Sequence, residues 1–239
     1  MGDLHLIYMT VSESLYTAYS TAEILGHPLN NIESRYAPKK LYIRGKIKIP
    51  LPGPRVAIVG TRMPTPSGIK IAYEFARRLS KEDIIIISGL ARGIDTRAHL
   101  GAIEAEGRTI AVLGTPLNYA YPPENSSLQK EIAENHLAIS EFPIGEEIQR
   151  KNFVIRDRTM ALLCDASIII EAGDGSGTLN QGWEALRLGR PLFIWKSVFE
   201  DATLKWPRRM LDYGAIKLET LSQVLDGLVF GEQVITLTV

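Results

Sequence analysis

The sequence predicts an α/β fold: an extended Rossmann-like, doubly wound, mostly parallel sheet with helices on both faces. Three observations carry this. Apolar runs such as Val56-Ala57-Ile58-Val59, Ile84-Ile85-Ile86-Ile87 and Ile168-Ile169-Ile170 are continuous rather than alternating, as in strands buried on both faces of a parallel sheet. Segments of helical periodicity separate them, which supplies the crossovers that parallel strands need. Strand ends lead into Gly-containing turns, Gly60-Thr61-Arg62, Gly89-Leu90-Ala91-Arg92-Gly93 and Gly173-Asp174-Gly175-Ser176-Gly177-Thr178. Such turns bring backbone amides close to an anionic ligand at a helix N-terminus.

Taken in order, residues 11–26 have helical spacing and stop at Gly26-His27-Pro28, a helix-end signal. Asn30 to Pro38 reads as linker and Leu41-Tyr42-Ile43 as a short strand, and Pro50, Pro52 and Pro54 stiffen the approach to the first core strand. Strands are predicted at 56–59, 84–88, 109–113, 137–140, 167–171 and 191–195, and helices near 67–80, 95–106, 125–135, 155–164 and 178–188. Ser67 and Asp95 stand where N-caps are expected. Residues 206–228 read as helix, strand and helix, and 233–238 as a last edge strand. The organisation is a short N-terminal helical segment (1–35), the Rossmann-like domain (36–228) and a C-terminal tail or edge strand (229–239).

With 239 residues, 45% of them apolar, the chain can bury one large core. Lys and Arg balance Asp and Glu at 27 each, so bulk charge selects no partner. Its distribution is uneven: between Glu33 and Glu74 lie Arg35, Lys39, Lys40, Arg44, Lys46, Lys48, Arg55, Arg62 and Lys70 with no acid among them. That run is either a solvated edge or a local positive face. The single cysteine, Cys164, sits among Ala161-Leu162-Leu163 and reads as a small core residue. Met1-Gly2-Asp3-Leu4 lacks a basic signal start, and no apolar run approaches the roughly 18–20 residues of a membrane span. A cytoplasmic protein with no membrane partner is expected.

Gly60 permits a tight turn, Thr61 offers a hydroxyl, and Arg62 a planar fork suited to phosphate oxygens. After the second core strand, Ser88, Gly89, Arg92 and Gly93 make a similar loop, with His99 on the helix beyond as a packed residue rather than a base. Residues 114–125 form a long loop, a lid or a packing flap. The segment Arg150-Lys151-Asn152-Phe153-Val154-Ile155-Arg156-Asp157-Arg158 mixes cations with an aromatic ring. It is either a helix face with Phe153 in the core, or a wall on which cations follow a strand's backbone and a ring stacks a base. Gly175, Ser176, Gly177 and Thr178 can wrap phosphate at a helix start, or serve as a structural turn. No GxSxG elbow, Walker lysine, HExxH, metal-ligand spacing or dinucleotide GxGxxG is present, so no cofactor, metal or catalytic residue is assigned.

In order and spacing these segments resemble the DprA/Smf DNA-processing family. The pieces are Val56-Ala57-Ile58-Val59-Gly60-Thr61-Arg62, Ser88-Gly89-Leu90-Ala91-Arg92-Gly93-Ile94-Asp95 through His99, Thr109 to Gly114, Tyr121-Pro122, Ser140-Glu141, Arg156-Asp157-Arg158, Glu171-Ala172, Ser176-Gly177-Thr178, Gly189-Arg190-Pro191-Leu192-Phe193 and Tyr213-Gly214-Ala215. The resemblance implies single-stranded DNA binding without a cofactor, a homodimer built through the Rossmann fold, and loading of a RecA-type recombinase during uptake of transforming DNA. It implies that Arg62 holds phosphate beside Gly60 and Thr61, that the Gly89 and Gly93 turn adds amides, and that Lys151, Phe153, Arg156 and Arg158 form the cationic, stacking wall.

Departures mark a divergent or minimal member. Asp157 stands where the family commonly has Asn, and Asn180-Gln181 where it has Thr-Ala. Many members carry an N-terminal helical module and a C-terminal winged helix; beside them this chain, with a short acidic N-terminal segment, reads as a minimal one. An alternative in a related Rossmann family is a nucleotide-binding sensor or phosphoribohydrolase-like enzyme, with Glu171 or Glu184 working beside Arg62.

Overall fold

The structure is a computed structural model that describes residues 7–8 and 16–228. Its strands are β1 (Ile7–Tyr8), β2 (Thr17–Tyr19), β3 (Leu41–Gly45), β4 (Arg55–Val59), β5 (Ile85–Ser88), β6 (Thr109–Leu113), β7 (Tyr119–Ala120), β8 (Leu137–Ser140), β9 (Ala166–Ile169), β10 (Leu192–Trp195) and β11 (Ile216–Leu218). Its α-helices are α1 (Thr21–Leu25), α2 (Pro66–Lys81), α3 (Ile94–Glu104), α4 (Ser126–Asn135), α5 (Arg150–Leu163), α6 (Thr178–Arg187) and α7 (Trp206–Asp212), and residues 222–228 form one more helical stretch.

Nine strands make one sheet in the order β11-β10-β9-β4-β5-β6-β8-β3-β2. Pairing is parallel from β11 to β8 and antiparallel at β8–β3 and β3–β2. Every residue of β4, β5, β6, β8 and β9 is buried, which accounts for their unbroken apolar sequences. Alternate residues feed two layers. Ala57, Val59, Ile85 and Ile87 meet Met160 and Leu163 of α5 and Met210 of α7, while Val56, Ile58 and Ile86 meet Phe75 and Leu79 of α2 and Ala98 of α3. Each such isoleucine, fully buried, stabilises the fold by about 1.5–3 kcal/mol relative to exposure.

Sequence order runs outward from β4 in both directions: β5, β6 and β8 on one side, β9, β10 and β11 on the other. The reversal between β4 and β9 is a topological switch point, where an open α/β sheet leaves a crevice beyond its strand ends.

Several boundaries differ from the sequence reading. Of the helix expected over 11–26, residues 11–15 lie outside the described residues; among those described, Thr17–Tyr19 form β2, paired antiparallel with Leu41–Ile43, and only Thr21–Leu25 is helical. The Ser20 capping box and left-handed Gly26 (φ 78°) delimit that turn and a half. A sheet partner distant in sequence overrides the local spacing. Helix α2 is capped by Thr65, whose hydroxyl accepts from Gly68 N, with Pro66 at its first turn; Ser67 lies inside the helix. Asp95 is likewise inside α3, where Gly93 (φ 76°) takes the cap position. Helix α5 starts at Arg150 rather than 155. The 229–239 tail and the 233–238 strand lie outside the described residues.

Candidate nucleic-acid interface

Three strand-end turns meet at the switch point. The Thr61 N–H donates to the Glu171 carbonyl at 2.6 Å, the Ile94 N–H to the Thr61 carbonyl at 3.3 Å, and the Thr178 hydroxyl to the Gly60 carbonyl at 2.9 Å. The turn after β4 is therefore tied on one side to the Gly-rich loop before α6 and on the other to the start of α3. Below it open two hollows of about 460 and 400 Å³, which share Arg62, Ala91, Phe153 and Arg156. The inner one is walled by Gly60, Thr61 and the 173–178 loop, and the outer one by Gly89, Arg92, Tyr121 and Pro122.

The turn after β5 is held in an uncommon shape. Leu90 is left-handed (φ 57°) although it is not glycine, a conformation that persists only where its surroundings fix it. Leu90 is fully buried, and Asn125 Nδ2 donates to its carbonyl at 2.9 Å. Asp95 Oδ2 accepts the N–H groups of Gly89 (3.2 Å) and Ala91 (3.4 Å). Arg156 donates through Nη1 to the carbonyls of Gly89 and, at 3.0 Å, Val112, and through Nε to Asp157 Oδ1 at 3.0 Å. Burial pushes Asp95 upward from the usual carboxylate range against the pull of Arg156, and raises Asp157 to about 6.

The residues singled out in sequence thus have different positions. Arg62 is exposed, lines both hollows and has no ion-pair partner among the described residues. Phe153 is half-buried between them. Its ring lies 5.1 Å from that of Tyr121, centroid to centroid, and rests so close over Gly114 that a methyl group there would stand 2.6 Å from Phe153 Cδ1. Arg92 borders the outer hollow in an exposed ion pair with Glu124. Gly175, Ser176, Gly177 and Thr178 all face the inner hollow.

Others are placed differently from the reading of them as strand contacts. Arg156 is only 6% exposed, with Nη1 and Nε directed into protein carbonyls and Asp157, so it supports the floor of the two hollows it lines more than it forms an open wall. The Ser88 hydroxyl is buried and donates to the Ile58 carbonyl at 2.7 Å, joining β5 to β4. Arg158 points to the other side of α5, toward Glu184 (3.5 Å) and the Tyr36 ring, and exposed Lys151 borders neither hollow. Within the long basic run, Arg44 pairs with Glu134 and Arg55 with Asp165.

Loop 114–125 is a packing flap, with Leu117, Asn118 and Ala120 buried. His99 is enclosed, bonded through Nδ1 to Thr109 Oγ1 at 2.7 Å, and pushed down to about 3 by burial. Cys164 is buried, which raises its thiol. Of the two acids considered for hydrolysis, Glu171 binds the Thr65 N–H and hydroxyl and Glu184 pairs with Arg158 and Arg187; neither borders a hollow. Sequence reading missed Asn125, Thr65 and the tilted contact of Tyr121 with Phe153. Only Tyr121 carried a signal, its place in the Tyr-Pro-Pro turn.

A doubly wound sheet with Gly-rich loops and an open cleft at its switch point defines a Rossmann-like protein. Comparison with known proteins makes this specific. The family described as DNA recombination-mediator protein A matches residues 12–228, and the chain belongs to it, among the DprA/Smf proteins. DNA processing protein DprA of Streptococcus pneumoniae is 36% identical over 197 residues, covering 82% of this chain and 69% of that protein. For DprA of Bacillus subtilis the identity is 30%, over 80% of this chain and 64% of the relative. The chain therefore spans about two thirds of the length of these relatives. The X-ray structure of Streptococcus pneumoniae DprA superposes with a TM-score of 0.76 at 32% identity, over 88% of this chain and 74% of that one. DprA of Helicobacter pylori, whose structure concerns its single-stranded DNA binding mode, superposes at 0.73 with 28% identity, over 90% of this chain and 95% of that one. Among the described residues no helix is long and apolar enough to cross a membrane.

Proposed function

We propose that the chain binds single-stranded DNA along the cleft formed by the two hollows, and acts as a homodimer that delivers the strand to a RecA-type recombinase. One observation carries the reading. The outer hollow joins Arg62, without an ion-pair partner among the described residues, to the Phe153–Tyr121 ring pair, and none of the described residues lining it is an acid. A cation beside an aromatic platform suits an unpaired strand, whose phosphates seek charge and whose exposed bases stack; a duplex hides its base faces. Arg62, Gly60 and Thr61 take a phosphate, Phe153 a base and Arg92 the adjoining backbone; the Gly89 amide, expected to join them, is held by Asp95. The Helicobacter pylori relative supports the choice of ligand.

The test is competition against a fluorescent oligo-dT. Unlabelled single strands displace it at far lower concentration than duplex of the same length. Equal displacement by duplex, or release of free base from a nucleoside monophosphate during incubation, contradicts the reading.

A further inference from the structure

The inner hollow differs from the outer one in what its polar atoms ask of a ligand. Its floor presents acceptors. Asp157, 7% exposed, uses Oδ1 for Arg156 Nε, and Oδ2 has no partner among the described residues. Gln181, fully buried on the first turns of α6, donates from Nε2 to Ser167 Oγ at 2.7 Å and leaves Oε1 without a partner. Arg156 Nε and Nη1 are bound to Asp157, Gly89 and Val112, and the amides of Gly89 and Ala91 are bound to Asp95. A buried acceptor without a donor costs free energy that a ligand can restore.

The mouth has the opposite character. The N–H groups of Gly175 and Gly177 have no partner among the described residues, nothing stands within 4 Å of where their side chains would begin, and Arg62 lines the same hollow. These groups stand at the start of the ten-residue α6, where an anion is favoured. A fitting ligand carries phosphate at one end and paired N–H donors at the other. Among the four DNA bases only guanine offers adjacent donors, N1–H and N2–H₂, on its Watson–Crick edge; a carboxylate accepts both. A hollow of about 460 Å³ has room for one nucleotide.

We infer that the inner hollow reads guanine: Asp157 accepts from the N1–H and N2–H₂ edge, and the Gly175–Gly177 amides with Arg62 hold the phosphate. The inference rests on the reading of the cleft as a nucleotide site and names the base it selects. The guanine comes either as a free nucleotide or as one unit of a bound strand, and the two sources share this chemistry. Recognition needs Asp157 ionised. The charged groups that face it are Arg156 beside it on α5, Asp95 from α3 and Arg62 from the turn after β4, with Asp174 also lining the hollow.

The full chain is titrated at pH 7.5 with dGMP, dAMP, dCMP and dTMP in competition with labelled oligo-dT, and with oligo-dT carrying one internal dG. dGMP competes on the order of tenfold more strongly than the other three, a discrimination typical of one bidentate contact. A gain for the dG-containing strand assigns the source to DNA, and a gain for dGMP alone assigns it to free nucleotide. Asp157→Asn lowers dGMP to the level of dAMP, with folding checked by its thermal transition. Lowering the pH of the wild type to 5 also removes the preference, which tests the same carboxylate without a substitution. Equal competition by all four nucleotides with no gain for dG overturns the inference while oligo-dT binding stands. Absence of oligo-dT binding overturns the reading beneath it.

Discussion

Arg156 and Asp95 grip the same glycine from two sides: Asp95 Oδ2 accepts the Gly89 N–H at 3.2 Å while Arg156 Nη1 donates to the Gly89 carbonyl. A buried cation and a buried anion thereby fix the turn after β5 and, through Leu90, the border of the cleft. Arg156 is a positioning residue on this account. Arg156→Met leaves Asp95 and Asp157 facing each other without their counter-charge, and loss of one partner from such a set costs about 3–5 kcal/mol. Urea denaturation is expected to show a loss of that size, whereas Arg92→Ala, which removes an exposed and solvent-screened pair, leaves the urea midpoint close to that of wild type. An Arg156 variant as stable as wild type that no longer binds DNA would return Arg156 to the ligand-contacting set.

That contrast shows what a linear reading can reach. The sheet was legible because β4, β5, β6 and β9 are buried on both faces and therefore spell unbroken apolar runs. The Gly-rich turns were legible because close backbone approach restricts residue type. The direction of each arginine on α5 was not. Arg156 and Arg158 are two positions apart, about 200° around a helix, so one turns under the cleft and the other toward Glu184. The start of α5 was hidden because Gln149 makes no side-chain cap bond, so no local residue announces the helix. Strand β2 depends on β3, more than twenty residues later, and leaves no mark in its own spacing.

Phe153 has two duties, packing over Gly114 and presenting a ring face beside Tyr121. They separate by substitution. Phe153→Leu retains apolar volume and lacks the π face, so it keeps a near-native thermal transition while oligo-dT affinity falls by about 1–3 kcal/mol. Phe153→Ala loses both. If the leucine variant binds oligo-dT like wild type, stacking is not part of recognition.

Asp157 makes stability depend on pH. Its carboxyl titrates near 6 in the fold, above its ordinary value near 3.8, because burial opposes the charge and Asp95 adds to the effect. The protonated form is favoured by folding, so its contribution is full below about pH 4 and is lost as pH rises through 6. Asp157→Asn removes the penalty of the ionised state. It is expected to be more stable than wild type by about 1–3 kcal/mol at pH 7.5, with the gain shrinking to nothing near pH 4. Melting curves at pH 4, 6 and 7.5 measure this. A constant difference across the range would show that Asp157 does not titrate as described.

The convergence of the turns after β4, β5 and β9 on one phosphate position is tested most directly at Arg62. Oligo-dT affinity is measured for wild type and Arg62→Ala as salt is raised, and log affinity is plotted against log salt. Loss of one phosphate contact flattens the slope by about 0.7 and weakens every oligonucleotide sequence alike. An Arg62→Ala protein with the slope and affinity of wild type would contradict the assignment of the cleft as the path of the strand.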